Sequence, residues 1–266
     1  MNHVNLTIDS RNVATLTMQR AAVHNAFDDE MIDNLRAALA QIRVLGNVRA
    51  LILQAEGKSF SAGADLNWMR SMAQKNYEEN VVDAGHLGAL MKELDQLPCV
   101  TIARIQGAAF GGAVGLAACC DLAFSTERAS FCLSEVKIGL IPAVISPYVV
   151  RAMGVRAARR YTLTAERFSA HEALNYGLVH NVFENEPALD TGIDHVLQQI
   201  LSNSPAAVSA GKKLIHDVAH VPLDDTLIAE TARRIAEIRV SPEGQEGLTA
   251  FLDKRAPTWQ RDNQEN

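Results

Sequence analysis

Residues 98–142 read PCVTIARIQGAAFGGAVGLAACCDLAFSTERASFCLSEVKIGLIP, and this stretch decides the fold. Its apolar, β-branched opening at 99–105 predicts a buried strand, and 113–118 predicts a helix that begins directly after Gly111 and Gly112. Glycines at the start of a helix let a ligand approach the free backbone N–H groups, where the helix dipole adds positive potential. The stretch therefore predicts a site that binds an oxyanion without using a charged side chain.

Glu135 follows two further strand patterns in the same stretch, at 121–124 and near Phe131. Apolar residues flank it, namely Leu133, Val136 and Ile138. Burial among such neighbours raises the proton affinity of a carboxylate, and a carboxylate of that kind beside backbone donors is suited to moving a proton next to a carbonyl group. The alternative is a structural carboxylate that forms an ion pair, for example with Lys137.

The composition is that of a soluble globular protein with a large core. The chain has 266 residues, of which 48% are apolar and 21% charged, and its formal net charge is −6. This acidic balance offers no basic surface for nucleic acid. The four cysteines and eight histidines show no metal-binding spacing, so we expect reduced, buried thiols and no metal.

The chain begins MNHVNLTIDS, a strand pattern without the basic and apolar regions of a signal peptide. No apolar run approaches the ~18–20 residues that a membrane-spanning helix requires. We therefore expect a cytoplasmic protein that does not interact with membranes.

The first two thirds of the chain alternate strands and helices, and the last third is helical. A hairpin is predicted from Val4–Ile8 and Val13–Met18, with further strands at 48–54 and 178–183. Predicted helices are 25–44, 66–73, 80–97, 145–153, 155–163, 190–201, 205–218, 223–240 and 241–254. This order predicts an α/β core, residues 1–190, followed by a helical lobe, residues 191–266, that is suited to contacts between subunits.

The segment SFSAGADL, residues 59–66, is a second place where small residues allow close backbone approach. Asp65 is a predicted N-cap for the helix that follows, and that role is compatible with lining a site. Trp68, Met69 and Met72 recur at helical spacing and fit either a core or a pocket wall.

Taken in order, the motifs resemble those of the crotonase (enoyl-CoA hydratase/isomerase) superfamily over essentially the whole chain. They are MQR at 18–20, HNAF at 24–27, FSAGADL at 60–66, Gly107 with Gly111-Gly112 and Cys120-Asp121, Glu135 with GLIP at 139–142, and FLDKR at 251–255. Within that superfamily, SAGADLNWM and SEVKIGLIPAVISPYVV are most similar to bacterial methylglutaconyl-CoA hydratases of leucine breakdown and to carboxygeranoyl-type hydratases of terpene breakdown.

The resemblance implies a crotonase-type spiral of ββα units with a C-terminal helical trimerisation lobe, assembled as a homotrimer or a dimer of trimers. It implies an acyl-CoA substrate and no separate cofactor. The amides of Ala64 and Gly112 would hold the thioester oxygen, and Glu135 would be the general acid/base. CoA-binding residues implied in the same way are Ala62, Asp65 and Leu66, with Phe251 and Lys254 reaching the CoA of a neighbouring subunit.

Gly115 departs from the family pattern at a position that matters for the reaction. Hydratases of this family use two glutamates on the attacking water, and the first corresponds to Gly115, 20 residues before Glu135. The usual glycine-rich segment after 141–142 is replaced by AVISPY at 143–148, and Ala21 stands after Arg20 where a proline is usual. The sequence predicts hydration of a 2-enoyl-CoA, with a branched substrate such as 3-methylglutaconyl-CoA, and the alternative is a Δ3,Δ2-enoyl-CoA isomerase.

Two other function classes are disfavoured. Ser134, Ser146 and Asp121 could suggest a nucleophilic triad, but the chain has no G-x-S-x-G motif. A non-enzymatic RNA-binding role would need clusters of lysine and arginine to neutralise phosphates, and the chain is acidic.

Overall fold

The computed structural model describes residues 3–261 and contains two β-sheets surrounded by helices. The strands are β1 (Val4–Ile8), β2 (Val13–Met18), β3 (Ala50–Ala55), β4 (Ser59–Ser61), β5 (Val100–Ile105), β6 (Ala108–Phe110), β7 (Leu122–Thr126), β8 (Ser130–Cys132), β9 (Phe168–Ser169) and β10 (Asn181–Phe183). The helices are α1 (Asp29–Leu45), α2 (Leu66–Met72), α3 (Tyr77–Asp95), α4 (Gly112–Cys119), α5 (Ser146–Thr164), α6 (Ala170–Asn175), α7 (Glu186–Ser202), α8 (Pro205–Val218), α9 (Asp225–Val240), α10 (Pro242–Leu252) and α11 (Thr258–Arg261). Two short 3₁₀ helices cover Ala21–Val23 and Glu135–Ile138.

Successive strand pairs divide between the two sheets, and this gives the fold its repeating ββα pattern. The larger sheet has the order β1-β2-β3-β5-β7-β10, and the smaller has β4-β6-β8-β9. The first strand of each pair, β3, β5 or β7, joins the larger sheet, and the next strand, β4, β6 or β8, joins the smaller one. The pairings are parallel except for β1 with β2 and β8 with β9. The α/β fold predicted from the sequence is confirmed.

Several predicted boundaries were wrong, for reasons that the structure makes clear. The first long helix begins at Asp29 rather than at residue 25, because Asp28 is its N-cap and accepts a hydrogen bond from Met31 N at 2.8 Å. The two helices predicted at 145–153 and 155–163 form α5, which contains one non-helical residue, Gly154. The strands β4, β6 and β9 and the helix α6 were not predicted, because they span only two to six residues each and so carry little periodicity.

Apolar side chains form two separate clusters on the larger sheet. A small cluster joins residues of the sheet to α7; its buried members are Val13, Ala50, Ile102, Phe124, Leu189, Ile193, Leu197 and Leu201. The main core holds most of the other buried apolar residues, including those of α1, α3 and α4. The predicted boundary at residue 190 falls inside α7, which packs on the larger sheet through this small cluster. The division into two domains stays a prediction.

The C-terminal third is helical, as predicted, and it leaves much apolar surface uncovered. Within residues 205–240, no side chain of α8 or α9 is buried. Exposed large apolar residues on α8 to α10 include Ile215, Ile228, Ile235, Val240, Leu248, Phe251 and Leu252. The assembly of these helices into a trimer stays a prediction. No helix in residues 3–261 has both the length and the apolar character to span a bilayer.

Lys212 ties α8 to the strands that carry the central stretch. Its Nζ donates to Asp121 Oδ2 at 2.7 Å and to Cys99 O at 3.1 Å. Asp121 Oδ2 also accepts from the backbone N and the hydroxyl of Thr101, at 2.8 and 3.0 Å. One partly buried carboxylate therefore joins the start of β5, the end of α4 and the C-terminal helices.

Replacing Lys212 by methionine should lower the free energy of unfolding by about 1.5–3 kcal/mol, because it removes charge-assisted hydrogen bonds from a partly buried carboxylate and a carbonyl. Lys213→Met is the matched control, since Lys213 is exposed and its ion-pair partner within residues 3–261 is Asp217 on the same helix. This control should cost under about 0.5 kcal/mol. Chemical denaturation of the wild type and the two variants measures both values. Equal losses of unfolding free energy in the two variants would contradict a stabilising role for the Lys212 contacts.

Candidate active site

The backbone of Phe27 holds the loop between β4 and α2 in place. Phe27 N donates to Gly63 O at 2.8 Å, and Phe27 O accepts from Asp65 N at 2.8 Å. Ala64 lies between these two bonds as the bridge partner of Phe27. Among residues 3–261, no acceptor is bonded to the amide of Ala64, and Ala64 is exposed. Its N–H group is therefore available to a ligand.

A second free amide lies where β6 ends and α4 begins. Gly112 is the first residue of α4, so its N–H has no partner within the helix. Gly111, just before it, has φ 53° and ψ −121°, a conformation that side-chain-bearing residues rarely adopt. A Cβ on Gly111 would lie 3.0 Å from Glu135 Oε1 and 4.0 Å from Gly63 Cα. The two glycine-containing loops and Glu135 thus converge at one point.

Glu135 begins the 3₁₀ helix after β8 and is half-buried. Its Oε2 atom is buried and has no hydrogen-bond partner among the described residues. Burial raises the pKa of Glu135, partly offset by a hydrogen bond from its own backbone. Among residues 3–261, no lysine, arginine or histidine forms an ion pair with Glu135, which disfavours the ion-pair role considered for Lys137. A carboxyl group with a raised pKa next to two free amides is the combination that proton transfer beside a carbonyl requires.

Asp65 is the N-cap of α2, as predicted. Its Oδ1 accepts from Asn67 N at 2.8 Å and from Trp68 N at 3.4 Å. Burial acts to raise the pKa of Asp65, but these two amides and the Arg20 guanidinium outweigh it and lower the pKa overall. Asp65 therefore remains ionised and fixes the direction in which α2 leaves the loop.

Arg20 is a positioning residue that the sequence reading did not identify. Its Nη2 atom lies 3.3 Å from Asp65 Oδ2, and its Nη1 atom lies 2.8 Å from Asp28 Oδ2 and donates to Ala26 O at 2.6 Å. It thus joins the N-caps of α1 and α2. The contact with Asp65 spans 45 residues of sequence, so no local pattern could have predicted it.

Ile145 and Met91 fill the space beside Gly115, where the family pattern places the first glutamate. A Cβ on Gly115 would lie 2.8 Å from Ile145 Cβ, closer still to Ile145 Cγ2, and 3.3 Å from Met91 Cε. Ile145 and Met91 are both buried. The absence of a side chain at Gly115 therefore leaves no vacant space, because apolar side chains occupy it.

The remaining predicted site residues occupy two places. Ala62 is exposed on the loop that contains Ala64, and Leu66, the first residue of α2, is 69% exposed. Phe251 is 82% exposed near the end of α10, and Lys254 follows that helix. The described contacts do not bring Phe251 or Lys254 to the Glu135 cluster, so their role at a neighbouring subunit stays a prediction.

Trp68 belongs to the core rather than to a pocket wall. Its side chain is buried, and Nε1 donates to Asp83 Oδ1 at 3.4 Å. Asp83 is also paired with Lys75. Met69 and Met72 are only partly buried and are not assigned to either role. Among residues 3–261, no three histidine, cysteine, aspartate or glutamate side chains are grouped so that they could hold a metal ion.

Comparisons with known proteins agree on one family. A family model described as enoyl-CoA hydratase/isomerase matches residues 9–263. An enoyl-CoA hydratase from Shewanella pealeana is 49% identical, with a TM-score of 0.93 and coverage of 97% of this chain and 96% of its own. A Legionella pneumophila structure, provisionally described as an enoyl-CoA hydratase/isomerase, is 48% identical with a TM-score of 0.90. The match covers 97% of this chain and 98% of that structure's chain. A Thermus thermophilus protein, provisionally named an enoyl-CoA hydratase, is 32% identical over 94% of this chain and 98% of its own.

Gly115→Ala should lower the free energy of unfolding by about 1–3 kcal/mol, because its Cβ would overlap Ile145. In an Ile145→Ala background, the same change should cost less, because the overlap with Ile145 Cγ2 is gone while the contacts with the Cβ of residue 145 at 2.8 Å and with Met91 Cε at 3.3 Å remain. Gly85→Ala on α3 is the matched control: no atom lies within 4 Å of its added Cβ, so it should stabilise by about 0.5–1 kcal/mol. A double-mutant cycle by chemical denaturation measures the coupling, and additive effects at 115 and 145 would contradict the contact.

Proposed function

The chain belongs to the enoyl-CoA hydratase/isomerase family, and from that membership we propose that it hydrates 2-enoyl-CoA thioesters. The observation that carries the proposal is the convergence of the free amides of Ala64 and Gly112 with the half-buried Glu135. Its preferred substrate is branched, such as 3-methylglutaconyl-CoA, as the run SEVKIGLIPAVISPYVV suggests.

The two amides hold the thioester oxygen. Addition of water to the double bond moves negative charge onto this oxygen, and preorganised N–H donors stabilise that charge by roughly 3–4 kcal/mol each. The amide of Gly112 also lies at the positive end of the α4 dipole. These donors keep their orientation because the hydrogen bonds of Phe27 fix one loop and the Gly111 N–H, which donates to Cys132 O at 2.9 Å, fixes the other.

Glu135 transfers the proton. As the carboxylate, it takes a proton from water while the water oxygen bonds to C3 and the double-bond electrons move toward the thioester oxygen. The enolate then collapses, and the neutral Glu135 returns the proton to C2. The net change is addition of one water molecule, and Glu135 is regenerated. A single carboxyl group is sufficient for this cycle if it remains beside both carbons.

The second candidate is a Δ3,Δ2-enoyl-CoA isomerase, and the packing at Gly115 favours it. Because Ile145 and Met91 fill that position, the site offers one carboxylate instead of two. Isomerisation needs only one, which takes a proton from C2 of a 3-enoyl-CoA and returns it to C4. The oxyanion contacts are the same in both reactions.

CoA follows the exposed loop that leads to the site. Ala62, Asp65 and Leu66 line its path, and Phe251 and Lys254 contact CoA bound to a neighbouring subunit of a homotrimer or a dimer of trimers. The thioester is itself the substrate, so the reaction uses no additional cofactor.

Glu135→Gln should reduce the rate by about 10²–10⁴, because it removes proton transfer and retains the shape of the side chain. The measurement follows crotonyl-CoA, 3-methylglutaconyl-CoA and a 3-enoyl-CoA by absorbance and product mass. Addition of one water that disappears in the variant supports the hydratase. Double-bond migration without a mass change supports the isomerase.

Glu184→Gln is the matched control, since Glu184 is exposed and lies outside the site. It should keep the wild-type rate. Full activity in Glu135→Gln would exclude both reactions as written here.

The stability of Glu135→Gln should also depend on pH in a defined direction. Because burial raises the pKa of Glu135, the folded protein favours the neutral carboxyl, and the stability that this gives is lost as pH rises through the folded-state pKa. Glutamine cannot ionise, so the stability of the variant relative to the wild type should increase from pH 4 to pH 8. Chemical denaturation at several pH values measures the trend; a flat difference, like that expected for Glu184→Gln, would contradict the raised pKa.

A further inference from the structure

We infer that Ile145 limits the length of the acyl group, so that the site accepts short acyl chains and rejects chains that would extend past Gly115. The inference rests on the proposed function, because it takes the thioester to lie at Gly112 and Glu135. It adds a specificity-determining residue to that site.

Helix α4 places Gly115 directly inward of Gly112. Gly112 and Gly115 are three residues apart on one helix and therefore lie on the same face, separated by about 4.5 Å along the axis. An acyl chain that passes Glu135 and continues inward from Gly112 reaches Gly115 next. There it meets Ile145, whose Cβ lies within 2.8 Å of where a Gly115 Cβ would be.

Beyond Ile145, apolar side chains of α3 and α4 continue along the same face of α4; we call this contact the apolar seam. Met91 Sδ lies 3.7 Å from the Sγ of Cys119, the last residue of α4. A Cβ on Gly88 of α3 would lie 3.7 Å from Val144 Cγ1. Burial raises the pKa of the Cys119 thiol, as expected for a dry environment. From Gly112 to Cys119 this contact between α3 and α4 runs about 10 Å, and the side chains that form it are apolar and packed in the core.

Charged residues close the far end of the apolar seam. Asp95 lies one turn after Met91 on α3, is buried, and is paired with Arg151. The Nε2 atom of His216 lies 2.9 Å from Asp95 Oδ2. An acyl chain could therefore extend only as far as Cys119, and only if Ile145 were smaller. In the wild type, Ile145 stops it one helical turn beyond the thioester.

Binding of saturated acyl-CoAs tests the inference without depending on the reaction, because these thioesters have no double bond to hydrate or move. Calorimetric titration with butyryl-, hexanoyl-, octanoyl- and decanoyl-CoA should show the wild-type Kd rising at least tenfold from hexanoyl to decanoyl. Ile145→Ala removes side-chain carbons at the obstruction and should lower the Kd for decanoyl-CoA by about tenfold or more. Changes of this size in discrimination are typical when a hydrophobic pocket gains or loses a methylene. Ile145→Val should give a smaller gain in the same direction.

Ile193→Ala is the matched control, since Ile193 is equally buried but belongs to the separate cluster under α7. It should keep the wild-type length profile even if it loses stability. Equal wild-type affinity for hexanoyl- and decanoyl-CoA, or an unchanged profile in both Ile145 variants, would overturn the inference and leave the proposed function intact. A folded wild type that binds no acyl-CoA would overturn both.

Discussion

The hydrogen bonds of the Phe27 backbone are the constraint on which the candidate site depends. They hold Gly63 and Asp65 and so orient the amide between them, that of Ala64. The ring of Phe27 also supports the second amide, since a Cβ on Gly112 would lie 3.4 Å from it. Phe27 lies just before α1, in the linker that follows the hairpin β1-β2. A residue far from Gly112 in sequence therefore sets the spacing of both amides.

The site uses two carboxylates in opposite electrostatic environments. Asp65 is ionised on the outer side, where amides and Arg20 lower its pKa, and it holds α2. Glu135 is on the inner side, where burial raises its pKa and one oxygen lacks a partner among the described residues. An unpaired buried carboxylate costs stability, whereas a capped one adds to it. The burial that costs stability at Glu135 is also what raises its proton affinity.

Local patterns predicted much of this arrangement, and long-range contacts account for what they missed. The glycine pair before α4, the N-cap Asp65 and the apolar flanks of Glu135 are visible within a few residues of sequence. The start of α1 was predicted too early because the side chain of Asn25 donates to Glu56 O and Ser59 O, over 30 residues away, which holds that segment out of the helix. The contacts of Arg20 with Asp65 and of Ile145 with Gly115 likewise join distant segments. The local periodicity of apolar residues could not predict them. The placement of CoA, the roles of Phe251 and Lys254 and the subunit assembly remain predictions from resemblance.

The packing at Gly115 shows why a glycine at the position of a family glutamate need not be a simple deletion. A glutamate replaced by glycine in an unchanged site would leave a cavity, and cavities in a core cost stability in proportion to their volume. Here Ile145, on the segment that departs from the family pattern, occupies the space instead. The same isoleucine leaves no room for a carboxylate side chain at Gly115, and we infer that it also narrows the path for the acyl chain. Under the proposed function, reaction type and substrate size are coupled through this one contact, so a change that introduces a second carboxylate at Gly115 would also reshape the acyl pocket.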